Sequence, residues 1–313
     1  MEYLFQYLLL SLYDMSEFGY KIGAGILRAF QRLPLGFHYG VGKVLAWFLR
    51  SVMHYRSDVV MVNLSRSFPE KKYDELSAIS KESYARMGEI FAETMWFGGC
   101  RHNPERFFRS GVVNMVNIQE LRQAYSDSSS VMILNSHFGN WEFTGGCLQY
   151  LARLPDPVSQ DNVCVVYKRF TSKFWDRFIG ENRCAVTPGF KGYIEANSVL
   201  RYAVSRRREK VIYLFPTDQY PYGQASHWIP SFMHQPTNTM TGGAALACKL
   251  GMSVWHMCVD RISRGRYDVS FRKICDDAST MTPDQIMEDY YAEIEKDVTR
   301  KPTNYLWTHK RWK

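Results

Sequence analysis

Four short apolar runs, Val131 to Asn135, Val163 to Tyr167, Val211 to Phe215 and Ser253 to Val259, leave a chain of this kind few folds to adopt. Each is about one strand long and lacks the in-out alternation of a sheet with a wet face, so each reads as a strand covered on both sides. Stretches of helical character lie between them: Trp141 to Leu151, Thr171 to Glu181, Tyr193 to Ser205 and Gly242 to Leu250. Strands separated by helices return to a sheet in parallel. The alternation therefore predicts an α/β fold with a central mixed, largely parallel sheet flanked by helices, and Tyr267 to Phe271 as an edge strand.

Two longer helices frame this unit. From Tyr73 to Phe97 apolar residues recur at Leu76, Ile79, Tyr84, Met87, Ile90, Phe91 and Met95 with charges between them, a helical spacing. Pro283 to Arg300 opens with Thr282 as a cap, Pro283 at the first helical position and Asp284 in the first turn. Hydrophobic residues make up 46% of the 313, which excludes a disordered chain and suffices for one large core. Seven cysteines are scattered with no CxxC pair, so they read as reduced core thiols in a reducing compartment. No metal is expected: His227, His234 and His256 have no ligand spacing of a helical pair, and HExxH is absent.

The amino end carries apolar stretches broken by charges: Tyr3 to Tyr13, Phe18 to Phe30 with Lys21 and Arg28, and Leu33 to Met53 with Lys43 and Arg50. None reaches the roughly 20 apolar residues of a bilayer span, and no signal-peptide pattern precedes them. Aromatic and basic residues interspersed with apolar ones suit helices lying in a membrane interface; an ordinary buried helix pair fits the same pattern. The expected organisation is 1–55 as membrane-associated helices and 56–313 as the α/β domain. Lys plus Arg outnumber Asp plus Glu by 39 to 31, a net charge of +8, which favours an acidic partner. The cluster Arg206-Arg207-Arg208 with Lys210 suits an acidic carrier or anionic lipid, and equally a solvated helix end. No nucleic-acid-binding motif is present.

One segment carries chemistry. In Asn135-Ser136-His137-Phe138-Gly139-Asn140-Trp141-Glu142, His137 follows a predicted strand, where ligands meet an open α/β sheet. A neutral imidazole accepts a proton from an alcohol, and a carboxylate beside it fixes the tautomer and stabilises the imidazolium. Gly139 gives the backbone freedom to bring Glu142 back to the ring, and free amides at a helix start suit a developing oxyanion. The same spacing also fits His137 as a helix cap and Glu142 as a solvated first-turn acid.

The surrounding residues add further elements: Asn63-Leu-Ser-Arg-Ser-Phe-Pro69, Val166-Tyr167-Lys168, Phe215-Pro216-Thr217-Asp218-Gln219, and a closing Pro302-Thr-Asn-Tyr305-Leu-Trp307-Thr-His309-Lys-Arg311. In these, in order over roughly residues 40 to 313, the chain resembles the late acyltransferases of lipid A biosynthesis, the lauroyl and myristoyl transferases, within the wider His-x4-acid glycerolipid acyltransferases. The resemblance implies a glycerolipid acyltransferase-like fold on the cytoplasmic face of a Gram-negative inner membrane. It implies an O-acyltransferase with His137 as general base and Glu142 as its orienting partner. Asn140, Lys168, Arg169 and Asp218 are then substrate-binding residues, although Asp218 also reads as a turn residue accepting backbone bonds. The implied donor is an acyl carrier protein thioester with no further cofactor, and the acceptor a lipid A precursor. Where the family has Arg, Lys168 keeps the charge but loses the planar fork, and Arg169 follows at once. The alternatives are transfer to a lysophospholipid or aminoacyl lipid, disfavoured because Pro216-Thr217-Asp218-Gln219 replaces the Pro-Glu-Gly-Thr-Arg of glycerophosphate acyltransferases, and a non-catalytic lipid-binding protein.

Overall fold

The computed structural model describes residues 17–223 and 225–312; the apolar stretch Tyr3 to Tyr13 lies outside the described residues. The strands are β1 (Val113–Met115), β2 (Val131–Asn135), β3 (Val163–Tyr167), β4 (Tyr193–Glu195), β5 (Ile212–Pro216), β6 (Ser226–Phe232), β7 (Gln235–Met240), β8 (Ser253–Ser263) and β9 (Arg266–Cys275). The helices are α1 (Glu17–Gln31), α2 (Leu35–Trp47), α3 (Ser57–Ser67), α4 (Tyr73–Gly99), α5 (Glu105–Arg109), α6 (Ile118–Asp127), α7 (Thr144–Leu148), α8 (Lys173–Arg183), α9 (Val199–Ser205), α10 (Gly242–Leu250) and α11 (Pro283–Arg300).

Seven strands form one sheet in the order β1-β9-β8-β2-β5-β3-β4. Neighbours are parallel except β8 and β9, which makes the sheet mixed. The central strand β2 is buried along its whole length, as its unbroken apolar run requires. One core lies on each face: Met132 and Leu134 join the side of α10 and α11, whereas Ile133 joins Phe97, Phe107 and Phe143 on the other. Tyr267 to Phe271 is not at the edge. It belongs to the longer β9, which returns beside β8 and is itself covered by β1.

Two expected helices are altered. Trp141 to Leu151 divides into a 3₁₀ turn Trp141–Phe143, α7 and a 3₁₀ turn Gln149–Arg153. Gly145-Gly146 is a poor helix centre, and each glycine is pressed by an aromatic ring, Tyr193 and Phe97. Tyr193 to Ser205 begins extended, because Tyr193–Glu195 pairs with β3, then passes through a 3₁₀ turn Ala196–Ser198 and is α-helical from Val199. The hairpin β6-β7 has little sequence signal, since the inward residues of β7 are Gln235, Thr237 and Thr239. The last helix has its expected cap: the Thr282 hydroxyl accepts from the Gln285 amide at 3.2 Å, and the Thr282 amide donates to the Gln285 side chain at 2.9 Å.

The first two helices pack inward on one side only, and α2 lies against α4. Buried Tyr20 and Ala24 on α1, and Gly42 and Ala46 on α2, face inward. Arg28 bonds Glu181 at 2.5 Å and Gln31 bonds Asn182 at 2.9 Å, tying α1 to α8. Phe18, Ile22 and Ile26 on α1, one turn apart, are exposed, as are Phe37, Val44 and Trp47 on α2. Among the described residues no helix is long and apolar enough to cross a membrane. The α2–α4 crossing is backbone on backbone: a Cβ at Gly88 would collide with the Gly42 carbonyl oxygen, and one at Gly42 with that of Gly88. Gly88→Val is expected to lower stability by about 1–3 kcal/mol, the cost of overpacking, read from the urea midpoint; an unchanged midpoint would show the crossing to be loose.

Candidate functional site

β2 and β5 are parallel neighbours in register, with Asn135 opposite Pro216, and the Thr217 amide extends the ladder to the Asn135 carbonyl at 3.1 Å. The residues just past their ends therefore meet on one rim. Asp218 accepts twice from His137: Oδ2 from the backbone N–H at 2.9 Å, and Oδ1 from ring Nδ1 at 2.7 Å. Gln219 places its side-chain nitrogen 3.2 Å from the other ring nitrogen, Nε2. With a carboxylate at Nδ1 and an amide donor at Nε2, the neutral ring carries its proton on Nδ1 and its lone pair on Nε2. Trp141 lies against the ring, centroids 5.0 Å apart.

Burial opposes a charged imidazole at His137, but the Asp218 charge and hydrogen bond outweigh it, with Glu142 adding, and the ring is pushed above its ordinary value. Burial likewise opposes an ionised Asp218, yet the His137 charge and hydrogen bonds hold it below the usual carboxylate range. Asp218 is enclosed, whereas the His137 side chain keeps 17% exposure, the condition for meeting a ligand.

Glu142 has another partner from the one expected. Its carboxylate takes a two-pronged salt bridge from Arg183 at the end of α8, both bonds 2.9 Å. The turn after Gly139 lays Trp141 on the imidazole and directs Glu142 toward α8, so the orienting carboxylate on His137 is Asp218. Against the cost of burial, Arg183 lowers the Glu142 carboxyl, and His137 contributes through its charge.

Asn140, expected to touch substrate, is fully buried and holds the loop from inside. Its Oδ1 accepts from the Glu142 amide at 3.2 Å and its Nδ2 donates to Glu93 at 2.8 Å. Gly139 sits at φ +67°, where a Cβ would strike the Val259 carbonyl oxygen. The Gly139 amide donates to the Asn304 carbonyl and the Glu142 amide to Asn140, so neither is free for an oxyanion. Lys168 and Arg169 follow β3 on the rim of His137 and are exposed; the Lys168 ammonium lies 5.5 Å from the Tyr222 ring centroid.

The carboxyl-terminal segment straps this loop. Tyr305 bridges Phe138, and the Leu306 amide donates to the His137 carbonyl at 3.1 Å. Asn63 clamps the strap by donating to the carbonyls of Trp307 at 2.9 Å and His309 at 3.0 Å, so the early and closing motifs are two sides of one contact. Burial lowers the His309 imidazole to about 4. Arg206 and Lys210 lie elsewhere: they precede the amino end of β5, opposite the His137 rim, and bond Glu209, Asn162 and the Ser126 carbonyl. His256 and Cys258 share one face of β8 and approach Asp297, whose Oδ2 is already shared by His256 at 2.8 Å and Arg272 at 2.7 Å.

The profile of the bacterial lipid A biosynthesis acyltransferases matches residues 10–313. The chain is 23% identical over 299 residues to a lipid A biosynthesis palmitoleoyltransferase of Escherichia coli strain K12, covering 93% of this chain and 90% of that relative. A lipid A biosynthesis acyltransferase of Shigella flexneri is similar to the same extent.

The charge coupling at His137 predicts a titration. By NMR the wild-type imidazole should lose its proton at a pH above the ordinary 6.5, and Asp218→Asn should lower that midpoint, because the strongest opposition to burial is then gone and Glu142 alone remains against it. A midpoint that ignores the substitution would remove Asp218 as the controlling charge.

Proposed function

The chain belongs to the bacterial lipid A biosynthesis acyltransferase family, and from that premise we propose that it moves a fatty acyl chain from an acyl carrier protein thioester to a hydroxyl of a lipid A precursor, with His137 as general base. The observation that carries the reading is the His137–Asp218 pair, which leaves Nε2 as the acceptor of a ring whose side chain keeps 17% exposure. The acceptor hydroxyl displaces Gln219 from Nε2. As its oxygen attacks the thioester carbonyl carbon, its proton passes to Nε2, and Asp218 stabilises the imidazolium. The tetrahedral intermediate collapses with cleavage of the C–S bond, and the departing thiolate takes the proton back from His137. No covalent enzyme intermediate is required.

Glu142 acts here through Arg183 and through its charge near the ring. Lys168 and Arg169 are exposed cations on the same rim, placed for phosphates of the acceptor. Exposed Phe18, Ile22, Ile26 and Trp47 supply a membrane-facing surface, with residues 1–55 as an interfacial segment on the cytoplasmic face of a Gram-negative inner membrane.

The test is mass spectrometry of lipid A and total phospholipid from cells with and without the gene, complemented by wild type or His137→Ala. Loss of one acyl chain from lipid A, restored by wild type alone, is expected; accumulation of another lysolipid with intact lipid A would replace the acceptor. In vitro His137→Ala should lower turnover on the order of 10²–10⁴-fold, and wild-type turnover by the folded variant would overturn the mechanism. Ile22→Asp combined with Trp47→Asp should reduce sedimentation with anionic vesicles without changing the folded-state circular dichroism; undiminished binding would remove this face from the membrane contact.

A further inference from the structure

Glu93, on α4, is fully buried, and its carboxylate accepts three hydrogen bonds. Oε2 takes the Tyr267 hydroxyl at 2.7 Å and Asn140 Nδ2 at 2.8 Å; Oε1 takes the Tyr39 hydroxyl at 2.8 Å. None of these atoms touches the imidazole. The Asn140 bond nevertheless reaches the site, because the opposite end of that amide caps the turn holding Trp141 and Glu142.

Donor and acceptor roles along this chain are forced. The Glu142 backbone N–H only donates, so it faces the Asn140 oxygen. The Asn140 nitrogen then points at Glu93 and can only donate, so the Glu93 atom there must accept. A carboxylate satisfies this, as does an amide with its oxygen toward Asn140; an apolar side chain of the same length does not. We propose that Glu93 is a positioning residue that dictates the orientation of the Asn140 amide, and through it the placement of Trp141 against His137 and of Glu142 against Arg183. This rests on the reading of His137 as the base.

The logic specifies its own rescue. Glu93→Met keeps the side-chain length and removes both acceptor atoms, so the Asn140 nitrogen loses its partner and nothing holds that amide in the orientation that caps the turn. Glu93→Gln keeps an acceptor: its amide oxygen takes the bonds of Asn140 and Tyr267, and its nitrogen donates to the Tyr39 hydroxyl, which accepts as well as donates. Tyr39→Phe removes one bond to Glu93 and leaves Asn140 untouched, so it controls for stability lost without reorientation.

The experiment compares full-length wild type, Glu93→Met, Glu93→Gln, Tyr39→Phe and His137→Ala. Turnover is measured, together with amide hydrogen exchange of the peptide spanning 138–146. Glu93→Met should exchange faster in that peptide and lose turnover on the order of 10²-fold, as for a misplaced catalytic group. Glu93→Gln should recover both, and Tyr39→Phe should keep wild-type turnover and exchange in this peptide. Failure of Glu93→Gln to recover exchange, or equal losses in Tyr39→Phe, would overturn the proposal. If exchange follows the pattern and turnover does not, while His137→Ala is inactive, Glu93 orders the loop without serving catalysis, and the proposal falls. An active His137→Ala would instead remove the base assignment, and the exchange pattern alone would decide whether Glu93 orients Asn140.

Discussion

The ladder between β2 and β5 brings Asn135 beside Pro216, and the geometry of the site follows from where those two strands stop. Both continue into short loops on the same rim, so Asp218 meets His137 through backbone and ring together. A carboxylate bonded to the residue's own N–H as well as to its Nδ1 restrains position and tautomer at once. A loose surface pair would be screened and would fix neither. The third strand of this group, β3, leads to α8, whose last residue Arg183 closes the site from the other side.

Two ion pairs thus stand close together, His137 with Asp218 and Glu142 with Arg183. Taking such charges out of water is costly, and their value lies less in stability than in holding geometry and charge around the ring. Glu142 and Asp218 both raise the affinity of the ring for a proton, while Arg183 opposes it. Removal of one partner leaves the other buried and uncompensated, so each pair is kept as a pair.

The loop between them is fixed by contacts remote in sequence. The carboxyl-terminal strap takes the His137 carbonyl and the Gly139 amide, Asn63 holds that strap, and Glu93 anchors Asn140 from beneath. Tyr39 connects the same carboxylate to α2, whose exposed surface carries Val44 and Trp47 into solvent. The helix with the exposed apolar face and the His137 loop therefore share one buried anchor.

Strands such as Val131–Asn135, the capped helix Pro283–Arg300 and the position of His137 at a strand end were legible in the sequence, because hydrophobic period, capping residues and turn glycines act over a few neighbours. The hairpin β6-β7 was not, since its inward face is built from Gln and Thr. Nor was β9 as an interior strand, because strand order is a property of the assembled sheet. The His-x4-Glu spacing pointed to Glu142 as the carboxylate on the ring, whereas Glu142 pairs with Arg183 and Asn140 faces inward. The chain by itself determined which residues lie in strands and where an imidazole emerges. Only the tertiary structure decided which carboxylate meets it, since Asp218 is 81 residues distant and reaches His137 through the adjacency of two strands that no local pattern encodes.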